Sequence, residues 1–289
     1  MSDTRLDVRK TYKLAIGGKF PRSESGRSYE VTAPDGTFLA NVARASRKDV
    51  RDAVVAARSA QSGWAAATAY NRGQVLYRVA EVLEGRRDQF VAEITATTGA
   101  SDADARAEVD AAIDRWVWFA GWSDKFAQID GSANPVAGPY FDFSLPEPTG
   151  VVAAIAPTDQ PLLGLVGVIA PIIVSGNTCV VLASETSPLS AVTLAEVLAT
   201  SDVPGGVVNV LTGHPDELAP ILAGHMDVNA IDLAGVTTEA WPALEVEAAE
   251  NLKRVLRPPA ESVDWATTGD PRRILFFTET KTVWHPTGR

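Results

Sequence analysis

Along this chain of 289 residues the rhythm of apolar and polar positions changes three times, and each change predicts a different kind of element. Through 12–45 the apolar residues come in short pieces, beginning with Leu14, Ala15 and Ile16, cut by Gly17-Gly18 and by the Pro34-Asp35-Gly36 turn, so short strands are expected. At Ser46 the rhythm becomes helical. Ser46 stands three residues before Asp49, the spacing of a capping box, and Val50, Val54 and Ala57 lead toward Trp64 at helical spacing. Further helices are predicted over 71–83, over 87–97 with Gly99 as terminator, and over 102–120, where Val109, Ile113, Trp116 and Val117 form one stripe.

Residues 131–150 break this pattern with four prolines and with Tyr140 to Leu145 alternating apolar and polar, which predicts an exposed strand. From Val151 onward, short apolar strands (151–156, 179–182, 206–211, 230–233) alternate with helices that begin at Pro161, Pro188 and Pro215. Such alternation predicts an α/β fold with a doubly wound parallel sheet, preceded by a helical N-terminal region. The apolar run 161–175 is interrupted by Gly164, Gly167 and Pro171 and is too short to span a bilayer, so it reads as a buried helix. After Arg257-Pro258-Pro259 a polar stretch leads to Pro271, and 274–284 then alternates as a separate strand, too long to be left with a bare edge. Its expected partner is the strand around 140–145 together with the equivalent surface of a second subunit.

Composition narrows the function more than the fold. With 46% hydrophobic residues the chain can bury a core, and 36 acidic against 26 basic residues give a net charge of −10. Such a surface gathers no phosphates, so nucleic acid and anionic membrane are poor partners. One cysteine excludes an internal disulfide, and the first residues lack the charged-then-apolar pattern of a signal peptide, so a cytoplasmic location is expected. His214, His225 and His285 are scattered without ligand spacing, and no metal site is expected. Among the tryptophans, Trp116, Trp118 and Trp122 at helical spacing suggest core or, for part of the set, a subunit interface.

Two segments carry a family likeness. Gly150-Val-Val-Ala-Ala-Ile-Ala-Pro-Thr-Asp-Gln-Pro161 and Gly176-Asn-Thr-Cys-Val-Val-Leu-Ala-Ser-Glu185 resemble the nicotinamide-binding half of the aldehyde dehydrogenases. The likeness runs from about Tyr12 to Val255, through Ile16-Gly-Gly-Lys19, the 105–110 helix and Asn251-Leu-Lys-Arg-Val255. It resumes at Phe276 to Trp284, which is similar to the C-terminal arm that in the family pairs with a neighbouring subunit. Between Val255 and Phe276 the family's catalytic domain has no counterpart. The resemblance therefore implies an N-terminal region over 1–130, a Rossmann-like cofactor domain over 151–257, a linker at 258–271 in place of the catalytic domain, and a β oligomerisation element from 131–150 and 272–289.

The resemblance also implies which chemistry has changed. The family's Pro-Trp-Asn-Phe-Pro is Pro157-Thr158-Asp159-Gln160-Pro161 here, so the oxyanion-holding amide is replaced by Asp159, which has no donor when ionised. The family's Lys-Pro-Ser-Glu is Leu182-Ala183-Ser184-Glu185, so the ribose-reaching lysine is lost while Glu185 remains. Its Phe-Thr-Gly-Ser-Thr is Leu233-Ala234-Gly235-Val236-Thr237, without the serine that faces the pyrophosphate. Cys179, inside an apolar strand, reads as a core thiol, and Asp159 reads as a carboxylate at a helix N-terminus. No catalytic residue is expected. Residual cofactor contacts are assigned to Pro157, Ser184, Glu185, Gly213 and Gly235, with no tight cofactor and weak NAD or NADP at most. The expected function is a catalytically inert aldehyde dehydrogenase-like subunit, a pseudoenzyme that assembles with itself or with a full-length active aldehyde dehydrogenase, with residues 261–270 as cover for an exposed face. A nicotinamide-nucleotide-binding module and half of a split NAD-dependent aldehyde dehydrogenase are the alternatives.

Overall fold

The structure is a computed structural model and describes residues 9–258, 261, 263–267 and 269–288; the readings that fall on 1–8, 259, 260, 262, 268 and 289 lie outside the described residues. In chain order the elements are β1 (Ser28–Thr32), β2 (Phe38–Ala43), α1 (Arg47–Ala66), α2 (Ala69–Gly85), α3 (Arg87–Thr98), α4 (Asp102–Ala120), α5 (Phe126–Asp130), β3 (Ser132–Asn134) and β4 (Tyr140–Pro148). The second half holds β5 (Val151–Ile155), α6 (Leu163–Val174), β6 (Thr178–Leu182), α7 (Leu189–Ala199), β7 (Val208–Leu211), α8 (Pro215–Ala223), β8 (Ala230–Asp232), α9 (Trp241–Ala249), β9 (Arg254–Leu256), α10 (Arg272–Phe276) and β10 (Thr278–Pro286).

A parallel five-stranded sheet in the order β7-β6-β5-β8-β9 organises the molecule. All of β5 and β6 is buried, as strands covered on both faces must be. Because side chains alternate along a strand, Val151, Ala153 and Ile155 face one core with α1, α8 and α9, while Val152 and Ala154 face the other with α6 and α7. The second core continues outward into α2, α3 and α4, where Trp116 is wholly buried. Trp116 is therefore core and cannot serve an interface, while Trp118 and Trp122, both half-buried, lie tilted against each other at 5.4 Å between ring centroids. The expected 14–16 strand is reduced to isolated bridges, one of them at the outer edge of β7, where Ala15 N donates to Val210 O at 2.9 Å and Val210 N returns a bond at 2.8 Å.

The capping box at the start of α1 forms: Ser46 accepts from Asp49 N, and Asp49 accepts from Ser46 N at 2.8 Å. The ribbon β10-β4-β3 stands apart from the parallel sheet, with β10 antiparallel to β4 from Thr278 opposite Pro148 to Pro286 opposite Tyr140. One expectation is corrected here. Residues 274–276 are not strand but part of α10, because Ile274 and Phe277 are buried and Asp270 accepts from Arg272 N at 2.9 Å to turn the chain into a helix. Burial outweighs the alternating pattern at those three residues.

Candidate functional site

Doubly wound sheets bind ligands outside the carboxyl ends of their strands, and the sequence-predicted residues lie at that edge in two separate corners. Pro157 follows β5 and Gly235 follows β8, its neighbour in the sheet. Gly235 N donates to Ile155 O at 2.8 Å, and a Cβ at Gly235 would collide with the Ala156 carbonyl. Glycine is thus needed there for the two loops to meet. Together with Val263 and Trp265 these loops enclose a crevice of about 350 Å³. Asp159, Glu239 and Glu261 all face it, and hydrogen bonds from its own backbone and from Thr238 and Thr237 hold the Glu239 carboxyl below its ordinary range. The crevice is therefore negative. Val236 lines it where a phosphate would need a donor.

The second corner lies where β6 and β7 end. Ser184 is buried, and its Oγ accepts from Ser187 N at 3.2 Å, so its hydroxyl serves a turn and not the crevice. Glu185 is partly exposed, at the end of the second strand of the βαβ unit, where doubly wound nucleotide folds place the carboxylate that holds ribose hydroxyls. Here its Oε1 is bonded to His214 Nδ1 at 2.6 Å. Tyr29 lies against the imidazole at 5.5 Å between centroids, and burial with the nearby Glu185 charge pushes its phenol up. Gly213 has φ of +152°, and a Cβ there would stand 2.9 Å from Leu218 Cδ1, so it closes β7 onto α8. Pro157 and Gly235 come together; Ser184, Glu185 and Gly213 form the other corner.

The residues expected to carry no chemistry are placed as follows. Cys179 is wholly buried in β6, and burial, then the nearby Asp232, pushes its thiol far up. Asp159 is exposed, and it is not the carboxylate that holds the helix N-terminus. That carboxylate is Glu108 of α4, whose Oε1 accepts from Leu162 N at 2.8 Å and Leu163 N at 3.1 Å. Burial raises the Glu108 carboxyl, the two amides oppose the shift, and Asp159 adds to it. Sequence reading missed Glu108 because it comes from an element remote in sequence. It also missed His214 as the partner of Glu185, for which its place directly after Gly213 was the available signal.

The aldehyde dehydrogenase family model matches residues 20–257. The chain belongs to the aldehyde dehydrogenase family. It is 33% identical over 259 residues to cytosolic aldehyde dehydrogenase 1 of Elephantulus edwardii, covering 87% of this chain and 50% of that one. It is 34% identical over 268 residues to cytosolic 10-formyltetrahydrofolate dehydrogenase of Pongo abelii, of which 29% is covered. Among solved structures, the NAD+ complex of aldehyde dehydrogenase from Bacillus cereus superposes with a TM-score of 0.81 at 28% identity, covering 85% of this chain and 50% of that one. This aldehyde dehydrogenase relative spans half the length, or less, of these proteins.

For nicotinamide dinucleotide, the residues present fit at one end only. Glu185 suits a ribose once His214 releases it, whereas Val236 and the carboxylates of the crevice do not suit a pyrophosphate. Among the described residues no helix is long and apolar enough to cross a membrane, and no group of three or more metal-binding side chains is assembled.

Proposed function

We propose that this chain is a catalytically inert aldehyde dehydrogenase-like subunit that assembles with itself or with a full-length active member of the family. The observation that carries the assembly is the β3–β4–β10 ribbon. Tyr140 and Trp284 are exposed on one of its faces, Phe141 and Leu145 on the other, and Trp284 and Phe141 keep 57% and 51% of their surface in solvent. An exposed ribbon with apolar groups on both faces and a nine-residue outer strand is a pairing surface. A second subunit would cover those aromatic groups and extend the sheet beyond β10.

Inertness is supported by the chemistry. Aldehyde oxidation through a thioester needs a reachable thiolate and an oxyanion donor. The single cysteine is sealed in β6, and Asp159 offers no donor when ionised. Nicotinamide nucleotide, the ligand of the Bacillus cereus relative, would bind here weakly, held through Glu185. That same carboxylate is the one observation favouring a nucleotide-binding module as the second reading.

Light scattering on a sizing column tests the assembly. The chain, alone or mixed with a full-length aldehyde dehydrogenase from the same source, should elute as an oligomer. The double variant Phe141→Glu/Trp284→Glu should be monomeric with unchanged circular dichroism. A wild-type chain that stays monomeric in both settings would overturn the assembly. NAD or NADP reduction with aldehydes should not exceed a no-protein control; reduction that survives Cys179→Ala would overturn the inertness.

A further inference from the structure

The family match ends at residue 257, and the chain then crosses to α10 through a strap whose Trp265 packs on α6. Its anchor is Trp265, which keeps only 4% of its surface in solvent although it stands in a polar segment. The indole lies in a notch that α6 leaves at Gly167, where any Cβ would strike the ring. Arg115 of α4 donates from its guanidinium to the carbonyls of Trp265 at 3.1 Å and Ala266 at 2.8 Å. On the other side the Arg273 guanidinium lies over the Trp265 ring at 5.2 Å from the centroid, and it is itself paired with Asp232, buried at the end of β8. Farther along, Gly269 fits against Arg115 and Trp118, with Trp118 Cζ2 at 3.0 Å from where its Cβ would be.

We infer that this strap is a built-in cover: Trp265, clamped by Arg115 and Arg273, occupies the α6 face above the strand ends, so the chain walls its own crevice on that side and leaves no surface there for a domain from another polypeptide. Groups from α6 and α10 fit the indole itself, and a third, from α4, holds its backbone. A loop merely bridging a gap needs none of them. The cover seals with an aromatic ring and two guanidinium groups, while Glu261 lines the crevice. The reading is independent of the ribbon, since a chain could assemble through β10 with or without a seated strap. It bears directly on the split-enzyme alternative, because a catalytic half supplied in trans would find this face taken.

Gly167→Ala tests it from beneath. Alanine is the better helix former, so by propensity alone the substitution strengthens α6; if the indole fills the notch, the added methyl expels it. The full chain would be followed by hydrogen exchange on peptides spanning 261–271 and by binding of the apolar dye ANS. In the wild type, exchange in these peptides should be at least about tenfold slower than in an unstructured peptide. In Gly167→Ala and in Trp265→Ala that protection should be lost and dye fluorescence should rise, with far-ultraviolet circular dichroism and elution position unchanged. Should Gly167→Ala fail to fold, Arg115→Gln loosens the strap without adding volume and should give the same two changes. Free exchange of the wild-type strap, or full protection in the variants, would overturn the cover.

Discussion

Glu108 decides how α6 begins, and a side chain from another helix does what a local residue was expected to do. The first amides of a helix need acceptors, and Glu108 supplies one to Leu162 and Leu163. Replacing it with alanine should cost about 1–3 kcal/mol, the range for buried donors left unpaired. The pH dependence has a definite sign. Burial raises the Glu108 carboxyl above its ordinary 4.5, so the folded state holds its proton to higher pH than the unfolded chain does. Its contribution to stability therefore falls as pH rises from the ordinary carboxylate range through the raised folded value. Thermal melts at several pH values should show a shallower loss in Glu108→Gln than in the wild type. Equal slopes would mean that Glu108 titrates normally. Leu182 teaches the same caution about single positions: it is wholly buried, so the lysine that the family resemblance supplies at this place would here enter a core and not a ribose pocket.

At the level of elements, turns and strand ends are where glycine earns its place, and two substitutions separate packing from propensity. Gly63 lies in α1 with nothing within 4 Å of its Cβ position, so Gly63→Ala should stabilise by about 1 kcal/mol. Gly235→Ala drives a methyl into the Ala156 carbonyl and should destabilise by about 1–3 kcal/mol; denaturant melts read both, and equal shifts would sink the distinction. The parallel sheet was legible because β5, β6 and their neighbours are continuous apolar runs separated by helices, and α1 announced itself through Ser46 and Asp49. Elements with weaker signals were not. Trp241–Ala249 and Arg254–Leu256 form α9 and β9, yet α9 buries only Leu244 and Ala248, β9 is partly buried throughout, and neither carries a clean period. The α10 turn was hidden because a strand-like alternation over 274–284 spans a boundary that only the burial of Ile274 and Phe277 draws. For the same reason the ribbon is best tested by surface substitutions. Truncation after Pro271 would also remove two core residues and Arg273, the partner of buried Asp232.

Across the whole molecule, charge and occupancy act together on any nucleotide that approaches the sheet edge. The net charge is −10, and the crevice concentrates part of it in Asp159, Glu239 and Glu261, beside the place a pyrophosphate would take. The other corner retains its carboxylate but holds it on His214. A dinucleotide must satisfy both corners at once, so we expect NAD to bind no more tightly than the millimolar range, about −4 kcal/mol. The salt dependence should be the reverse of that of an ordinary phosphate site. Screening shortens from about 30 Å at 0.01 M to about 3 Å at 1 M salt, which weakens the repulsion from the crevice, so affinity should rise with salt. AMP, which need not cross the crevice, should bind about as well as NAD and respond less to salt. His214→Ala should improve both ligands by a similar factor, because it frees Glu185 without touching the acidic corner. Calorimetry across that salt range decides the matter: micromolar NAD binding, or affinity that falls as salt is added, would mean that cationic groups meet the phosphates and that the edge is a working nucleotide site.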